Sequence, residues 1–347
     1  MLCETPEFRE NETMRLVTFA AGSSEKIGLH VGTMGTGKII DLAPAARIVG
    51  GSAPATMLDL IRAADHALPL LRKILEAQEQ GKLPSEVLLD ETKTKLLSPV
   101  PRPTSMRDGY AFRQHVATAR RNRGLEMIPE FDQFPVFYFT NHLAVIGPGE
   151  LPVQKLTLER LDFELEGAIV LGKGGKNIPS SKADDHIFGY MIMNDWSARH
   201  LQMEEMKLNL GPAKGKDFAT SLGPYLVTRD ELAAKAIPGP KGERHDLRMK
   251  CTVNGKQVSD GNLKDMNWSF AQLVERASYG TELQVGEVIG SGTVGTGCFL
   301  ELNGSKITDN QWLKPGDECV LEIDGLGRLV NTIVAAPSDP LDESLPR

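Results

Sequence analysis

The segment LDFELEGAIVL, residues 161–171, places two carboxylates two positions apart at the start of an apolar run. Because side chains alternate along a strand, Glu164 and Glu166 are predicted to share one face. Taken alone, such a face is more often solvated, because neighbouring like charges repel. Asp195, however, follows a second apolar run, residues 187–193, that is typical of a buried strand. A buried carboxylate needs a partner, so the two segments together favour a shared charged site.

The composition is ordinary for a soluble globular protein. Of 347 residues, 41% are hydrophobic and 24% are charged, which suits one large domain or two moderate ones. The net charge of −7 argues against nucleic-acid binding, which needs a basic surface. There is no run of about 18 apolar residues, so no membrane span or membrane partner is expected.

Cysteine usage and the first residues bear on the cellular compartment. Cys3, Cys251, Cys298 and Cys319 are scattered without a Cys-x-x-Cys pair, which indicates reduced thiols and a cytoplasmic location. Residues 1–13 are polar and acidic, so they are not a secretory signal, and we expect a disordered extension.

A Gly-rich segment near the N-terminus, GTMGTGK at residues 32–38, matches the beginning of a phosphate-binding loop. Ile39 stands where that loop requires Ser or Thr, and a strand rather than a helix is predicted to follow. The segment is therefore predicted to be a hairpin turn between strands at residues 27–31 and 38–42.

The first domain is predicted to end in helices. Residues 55–80 carry apolar side chains at helical spacing, and the Pro-rich residues 97–103 are typical of an extended linker. We therefore place a small β-rich domain with a helical end at residues 14–95 and a second domain at residues 96–347.

The second domain is predicted to consist mostly of short strands. Asp108 is suited to cap a helix, with His115 about two turns inside it, and residues 134–139 are predicted as a buried strand. Asn-Gly within residues 251–258 predicts a hairpin. Residues 290–295, GSGTVG, fit a dinucleotide-binding pattern, but no helix follows, so that function is disfavoured. By pattern, the fold class is a β-dominated α+β protein.

Several motifs together resemble the fumarylacetoacetate hydrolase family over nearly all of residues 14–335. Each motif is weak alone, but their order and spacing are specific. They are DGY (108–110), RQH (113–115), DFELE (162–166), HIFG (186–189), MNDWSAR (193–199) with Gln202, LGPAKGKDFAT (210–220), SGT (291–293) and LE (300–301).

The resemblance implies a fumarylacetoacetase-like β-roll or mixed β fold in the catalytic domain, preceded by a small β-rich domain, and a homodimer. It also implies a divalent cation, Mg²⁺ in the first place with Mn²⁺ or Ca²⁺ as alternatives, and the hard carboxylate ligands agree with this. The implied metal ligands are Asp108, Glu164, Glu166 and Asp195. The implied catalytic residues are His115 as general base, Glu301 as its orienting acid, and Lys216 and Gln202 at the developing oxyanion. The implied substrate-binding residues are Tyr110, Tyr138, Arg199 and Thr293.

The chemistry implied by the resemblance is hydrolysis of a carbon–carbon bond in a 1,3-diketone or acylpyruvate-type acid, as in aromatic catabolism. His115 would activate water for attack on a metal-chelated carbonyl, with Glu301 stabilising the imidazolium. Two alternatives on the same metal site are decarboxylation of a 2-oxo acid such as oxaloacetate and isomerisation of hydroxymuconate-type diacids. Neither needs activated water, so both are expected to survive loss of His115.

The sequence also departs from smaller acylpyruvase-like relatives. Thr118 stands where they tend to have a Glu three residues after the His, and Tyr138-Phe139-Thr140-Asn141 stands where they tend to have a Lys. These departures favour the fumarylacetoacetase-like dyad. The basic run at residues 120–123 is predicted to be a solvated helix end, although it could meet a substrate carboxylate near the pocket.

Overall fold

The computed structural model describes residues 14–338, which form a strand-rich α+β fold. The predicted extension at residues 1–13 lies outside this range. The strands within it are β1 (Arg15–Ala21), β2 (Ser24–Val31), β3 (Lys38–Asp41), β4 (Leu88–Asp90), β5 (Met106–Gly109), β6 (Phe137–Phe139), β7 (Val145–Ile146), β8 (Gly149–Val153), β9 (Leu161–Asp162), β10 (Leu165–Leu171), β11 (Gly175–Lys176), β12 (Ile187–Asp195), β13 (Ser197–Ala198), β14 (Thr220–Leu222), β15 (Leu226–Thr228), β16 (Ala236–Ile237), β17 (Arg244–His245), β18 (Arg248–Val253), β19 (Lys256–Asn262), β20 (Glu282–Leu283), β21 (Val288–Gly290), β22 (Glu318–Ile323) and β23 (Gly327–Ala335).

Helices are fewer and mostly short. Over residues 14–338 the α-helices are α1 (Leu42–Ile48), α2 (Met57–Arg62), α3 (Ala64–Glu79), α4 (Arg113–Arg121), α5 (Lys155–Leu158), α6 (Ser180–Ala183), α7 (Arg199–Lys207), α8 (Phe270–Ser278) and α9 (Phe299–Gly304). Within the described residues, no helix has both the length and the apolar character to span a membrane.

One large mixed sheet carries the candidate site. Its main path runs β4-β3-β2-β1-β15-β12-β10-β21-β5-β6, with β14 and β7 attached beside β12. The central strands β10 and β12 are buried along their whole length, as their continuous apolar runs predict. A second sheet, in the order β19-β18-β22-β23-β8, packs near β10 and β12.

The predicted N-terminal hairpin and helices are confirmed. β2 and β3 pair antiparallel, with Val31 opposite Lys38, so the Gly-rich segment is the turn between them. α2 and α3 occupy most of residues 55–80 and bury Leu60, Leu71 and Ile74. Strand β1 also pairs with β15, so the N-terminal strands extend the large sheet. The domain division at residues 95–96 stays a prediction.

The hairpin predicted from Asn-Gly is also confirmed. β18 and β19 form an antiparallel hairpin in which Asn254 and Gly255 adopt φ values of 51° and 74°. Two positive φ angles in succession are the geometry that such two-residue turns require. Residues 291–298 after β21 have no regular structure, and the next element, α9, begins only at Phe299.

Two local predictions were wrong. Asp108 caps no helix: it lies in β5, between β21 and β6, and α4 begins only at Arg113, so His115 is in the first helical turn. Residues 134–139 are not a buried strand, because β6 is the last strand of the sheet and Phe139 is 64% exposed.

Candidate active site and metal centre

Four carboxylates from separate strands converge at the centre of the large sheet. Asp108 comes from β5, Glu166 from β10 and Asp195 from the end of β12, while Glu164 lies just before β10. Each offers one oxygen within 4.8 Å of the others, and all four side chains are buried. The convergence follows from the strand order, because β10 pairs with both β12 and β21, and β21 pairs with β5.

Two glycines make this close approach possible. Gly290 lies opposite Asp108, and a Cβ there would stand 2.4 Å from Asp108 Oδ1. Gly292 has φ +77° and donates its N–H to Asp108 Oδ1 at 3.1 Å and to Glu166 Oε2 at 3.0 Å. The backbone therefore joins two carboxylates that would otherwise repel.

Two buried cations balance part of the charge. Lys216 Nζ lies 2.7 Å from Glu164 Oε2 and 2.8 Å from Asp195 Oδ2. Arg199 binds Glu164 Oε1 at 2.7 Å through Nη2 and Asp162 Oδ2 at 2.8 Å through Nε. The hydroxyl of Tyr138 donates to Asp195. Lys216 and Arg199 thus offset two of the four charges on the cluster, although Arg199 is shared with Asp162.

The remaining oxygens fit a divalent cation. Glu166 Oε1 and Asp195 Oδ1 are buried and have no hydrogen-bond partner within residues 14–338. A buried carboxylate oxygen without a donor is costly, and a hard cation among four such groups would satisfy it. A dication would also offset charge that Lys216 and Arg199 leave uncompensated. The donor set contains oxygen alone, which suits Mg²⁺, Mn²⁺ or Ca²⁺.

The pKa values of the four carboxylates also reflect a shortage of positive charge in the cluster. Burial raises the pKa of Asp108 to about 8, and the charge of Asp195 adds to the rise. Burial and the neighbouring Asp108 raise the pKa of Glu166 well above its ordinary value. Burial also opposes ionisation of Glu164, but Lys216 and Arg199 outweigh it and lower that pKa. Without further cations, part of the cluster therefore holds protons at neutral pH.

A histidine–glutamate pair lies at the same cavity. His115 Nδ1 lies 2.7 Å from Glu301 Oε2, and both side chains are buried. Asn122 donates to the backbone carbonyl of Glu301 at 3.3 Å, which links α4 to α9. With Nδ1 held by the carboxylate, Nε2 is the imidazole nitrogen left for a reacting group. Tyr110 packs edge-on against the imidazole, with ring centroids 5.9 Å apart.

A cavity of about 630 Å³ brings the predicted residues together. Nine of the twelve line it, and they come from both the carboxylate cluster and the histidine pair. Glu166, Asp195 and Glu301 lie behind this lining. Asp195 and Glu301 contact it through Lys216 and His115, and the N–H of Gly292 joins Glu166 to the lining residue Asp108. The lining residues are Asp108, Tyr110, His115, Tyr138, Glu164, Arg199, Gln202, Lys216 and Thr293.

The sequence analysis missed the role of Asp162. Its carboxylate accepts from Arg199 Nε and from the backbone N–H groups of Phe299 and Leu300 at 2.7 and 3.0 Å. These amides begin α9, which carries Glu301, so Asp162 joins the metal cluster to the histidine pair. Its position in the DFELE motif was the one feature of the sequence that pointed to Asp162. Its hydrogen bonds to residues 299–300 could not be predicted, because those residues are distant in sequence.

Several other lining residues were also missed. Met203, Met206 and Trp312 give the cavity an apolar wall, and Arg160 and Asn303 add polar groups. The basic run at residues 120–123 ends at the cavity, since Asn122 and Arg123 line it, whereas Arg121 does not. Only its C-terminal half therefore faces the site.

Comparisons with known proteins agree with the motifs. A family profile described as fumarylacetoacetate (FAA) hydrolase C-terminal matches residues 104–334. An oxaloacetate tautomerase of Bacillus subtilis is 29% identical over 304 residues, which cover 85% of this chain and 93% of that protein. A mitochondrial oxaloacetate tautomerase of Homo sapiens is 29% identical over 331 residues, covering 94% of each.

Two further matches carry the fumarylacetoacetase name. A fumarylacetoacetase of Oryza sativa subsp. japonica is 35% identical over 199 residues, covering 47% of this chain and 46% of that protein. A solved fumarylacetoacetate hydrolase from Exiguobacterium antarcticum has a TM-score of 0.67 at 24% identity, covering 93% of this chain and all of that chain. This likeness confirms the predicted α+β fold. With its profile match spanning well over half of the sequence, the chain belongs to the fumarylacetoacetate hydrolase family.

Proposed function

We propose that this protein is a metal-dependent tautomerase that interconverts the enol and keto forms of a short 2-oxo dicarboxylic acid of the oxaloacetate type. The observation that carries this proposal is the fraction of each relative's length over which the sequences match. Relatives named oxaloacetate tautomerase match over 93–94% of their own length, whereas the rice fumarylacetoacetase matches over 46%. This proposal favours 2-oxo acid chemistry over the diketone hydrolysis expected from the motifs.

The metal centre supports enol chemistry. We propose that Asp108, Glu164, Glu166 and Asp195 hold a divalent cation, with Mg²⁺ as the first candidate. When bound, such a cation supplies positive charge to the oxygens of a 2-oxo acid and so stabilises its enolate. Lys216 has three N–H donors, and the two carboxylates it contacts use two of them, which leaves one for a substrate oxygen.

The histidine pair supports proton transfer. In tautomerisation the enol oxygen loses a proton and carbon 3 gains one, so the net change is an isomerisation. We propose His115 Nε2 as the proton carrier, with Glu301 fixing the imidazole orientation and stabilising its charged form. Arg199 Nη1 donates to Gln202 Oε1 at 2.9 Å, which leaves the amide nitrogen of Gln202 as a donor to substrate oxygen. Tyr110, Tyr138 and Thr293 complete the proposed substrate contacts.

Carbon–carbon bond hydrolysis remains the second candidate. The same His115–Glu301 pair could activate water, and the hydrogen bond at 2.7 Å is the observation that favours it. Loss of the imidazole does not separate these two candidates, because hydrolysis and tautomerisation both need a proton carrier. Decarboxylation, by contrast, is expected to survive loss of His115.

The test follows three products in parallel. Purified protein with added Mg²⁺ or Mn²⁺ is given oxaloacetate enol, and loss of the enol ultraviolet absorbance is compared with release of pyruvate. An acylpyruvate is assayed separately for carbon–carbon cleavage. We expect enol loss faster than in metal alone, without matching pyruvate release. Acylpyruvate cleavage as the fastest reaction would refute the proposal in favour of hydrolysis.

Variants assign the roles. Glu166→Gln is expected to lower cation affinity by calorimetry and to reduce all activity. His115→Asn is expected to slow tautomerisation by about 10²–10⁴-fold while cation binding persists. The matched control is His66→Asn, at an exposed position on α3 outside the cavity. Equal activity in His115→Asn and His66→Asn would remove His115 from the mechanism.

Assembly and location are further proposals. We propose a homodimer, following the family resemblance, and light scattering in solution tests it. We also propose a cytoplasmic location, although the human relative is named as mitochondrial. Fractionation of cells that express the full chain tests the location.

A further inference from the structure

Arg160 has an unusual backbone at the edge of the cavity. Its φ of 59° lies in the left-handed region, within the turn between α5 and β9, and few residues other than Gly, Asn and Asp adopt that region. The residue lies immediately before β9, is exposed, and lines the cavity with Arg199 and Gln202. Residues held in this region often lie at functional sites, so Arg160 is a candidate for a role at the cavity.

The surrounding contacts hold this backbone in place. The N–H of Arg199 donates to the carbonyl of Arg160 at 3.1 Å, and the next residue, Leu161, pairs with Ala198 across β9 and β13. Arg160 is thus attached to the beginning of α7, while the Arg199 side chain points inward to Asp162 and Glu164.

The guanidinium of Arg160 has no ion-pair partner in the described part of the chain. The adjacent carboxylate, Glu159, lies 3.7 Å from His200 instead. The other cations of the cavity differ: Lys216 and Arg199 are bound to buried carboxylates. Arg123 alone resembles Arg160, since its Nε donates to the carbonyl of Ala119 and it has no ion pair within residues 14–338.

We propose that Arg160 is a specificity-determining residue that binds the second carboxylate of the substrate, the one remote from the carboxylate cluster. The inference rests on the proposed function for the 2-oxo acid end of the ligand. That end would meet the cation and Lys216, which is already paired with Glu164 and Asp195. A dianionic ligand then requires an uncommitted cation elsewhere in the cavity, and Arg160 supplies it, with Arg123 as a second guanidinium for the same anion.

The test compares two inert ligands of nearly equal size. Malate and 2-hydroxybutyrate share a 2-hydroxy acid group, but malate has a carboxylate where 2-hydroxybutyrate has a methyl group. Their Kd values are measured by calorimetry with the full chain and saturating Mg²⁺. We expect wild type to prefer malate, and Arg160→Gln to reduce that preference about three- to ten-fold by weakening malate alone.

Two further variants separate recognition from folding. Arg160→Gly removes the charge and suits the left-handed backbone, so it should fold normally and show the same loss of preference. Arg102→Gln removes an arginine that is exposed outside the cavity and should keep the wild-type preference.

Every outcome decides the inference. An unchanged malate preference in Arg160→Gln and Arg160→Gly overturns it, and so does equal weakening of both ligands. Because these ligands do not react, the result is independent of catalysis. A protein that fails to tautomerise oxaloacetate but loses malate preference with Arg160 would refute the proposed function and retain this site.

Discussion

Replacing Lys216 with Met tests whether charge balance holds the carboxylate cluster together. Lys216 Nζ lies 2.7 and 2.8 Å from Glu164 and Asp195, and its side chain is 4% exposed. Removing one partner of a buried ion pair leaves an uncompensated charge, which typically costs about 3–5 kcal/mol. We therefore expect the metal-free Lys216→Met protein to lose about that much free energy of unfolding.

Lys214→Met is the matched control. Lys214 also forms an ion pair, 2.7 Å from Asp217, but its side chain is 65% exposed. Exposed pairs contribute about 0–1 kcal/mol because water screens them. Both substitutions replace a paired Lys with Met, at positions two residues apart, and the two side chains differ in burial. A difference in stability between the variants therefore reports on the burial of the ion pair.

The assay is urea denaturation of each variant with a chelator and with excess Mn²⁺. A cation at 100 times its Kd stabilises the folded state by about 2.7 kcal/mol. Because Lys216→Met makes the cluster more negative, we expect its gain from Mn²⁺ to exceed the gain of wild type. Equal stability of the two variants, or no response of Lys216→Met to Mn²⁺, would show that Lys216 does not balance this cluster.

Three further predictions concern the surroundings of the cluster. Since the pKa of Asp108 is raised to about 8, the folded metal-free protein holds this proton more tightly than the unfolded chain does. Its free energy of unfolding should therefore fall as the pH rises from about 4 to 8, by up to about 1.4 kcal/mol per pH unit. Added Mn²⁺ should reduce this fall in denaturation experiments. Gly292→Ala would place a Cβ 2.6 Å from the carbonyl oxygen of Gly109, so we expect a loss of about 1–3 kcal/mol and weaker cation binding by calorimetry. Arg107→Met leaves the buried Glu287 without its ion-pair partner, for a loss of about 3–5 kcal/mol, and adding Glu287→Gln should restore part of it if the pair acts as a unit.

Local features of the fold could be predicted from the sequence because residues close together in the chain determine them. The turn at residues 32–38 needed Gly where the backbone reverses, and Asn254-Gly255 supplied two positive φ angles. The position of His115 was not accessible in this way. Phe112, which precedes α4, makes no capping hydrogen bond through its side chain, so no local signal marks where that helix begins.

The sequence allowed the residues of the candidate site to be predicted, but not their spatial arrangement. The alternation in FELE correctly suggested a shared charged site, yet Glu164 lies outside β10, in the gap after β9. The sequence held no sign that Gly292 would donate to Asp108 and Glu166, because strand order creates that contact. Pairing between strands distant in sequence is the part of the fold that hydrophobic periodicity and secondary-structure propensity do not predict.

The link through Asp162 explains why two reactive groups share one cavity. Arg199 fixes the carboxylate on the metal side, and the N–H groups of Phe299 and Leu300 fix it on the side of α9. Burial raises the pKa of Asp162, although Arg199 opposes the rise. Its hydrogen bonds are directional, so a shift of α9 would strain the Arg199 contact and with it Glu164. The junction through Asp162 therefore connects α9, whose Glu301 holds His115, to Arg199 and Glu164 of the carboxylate cluster.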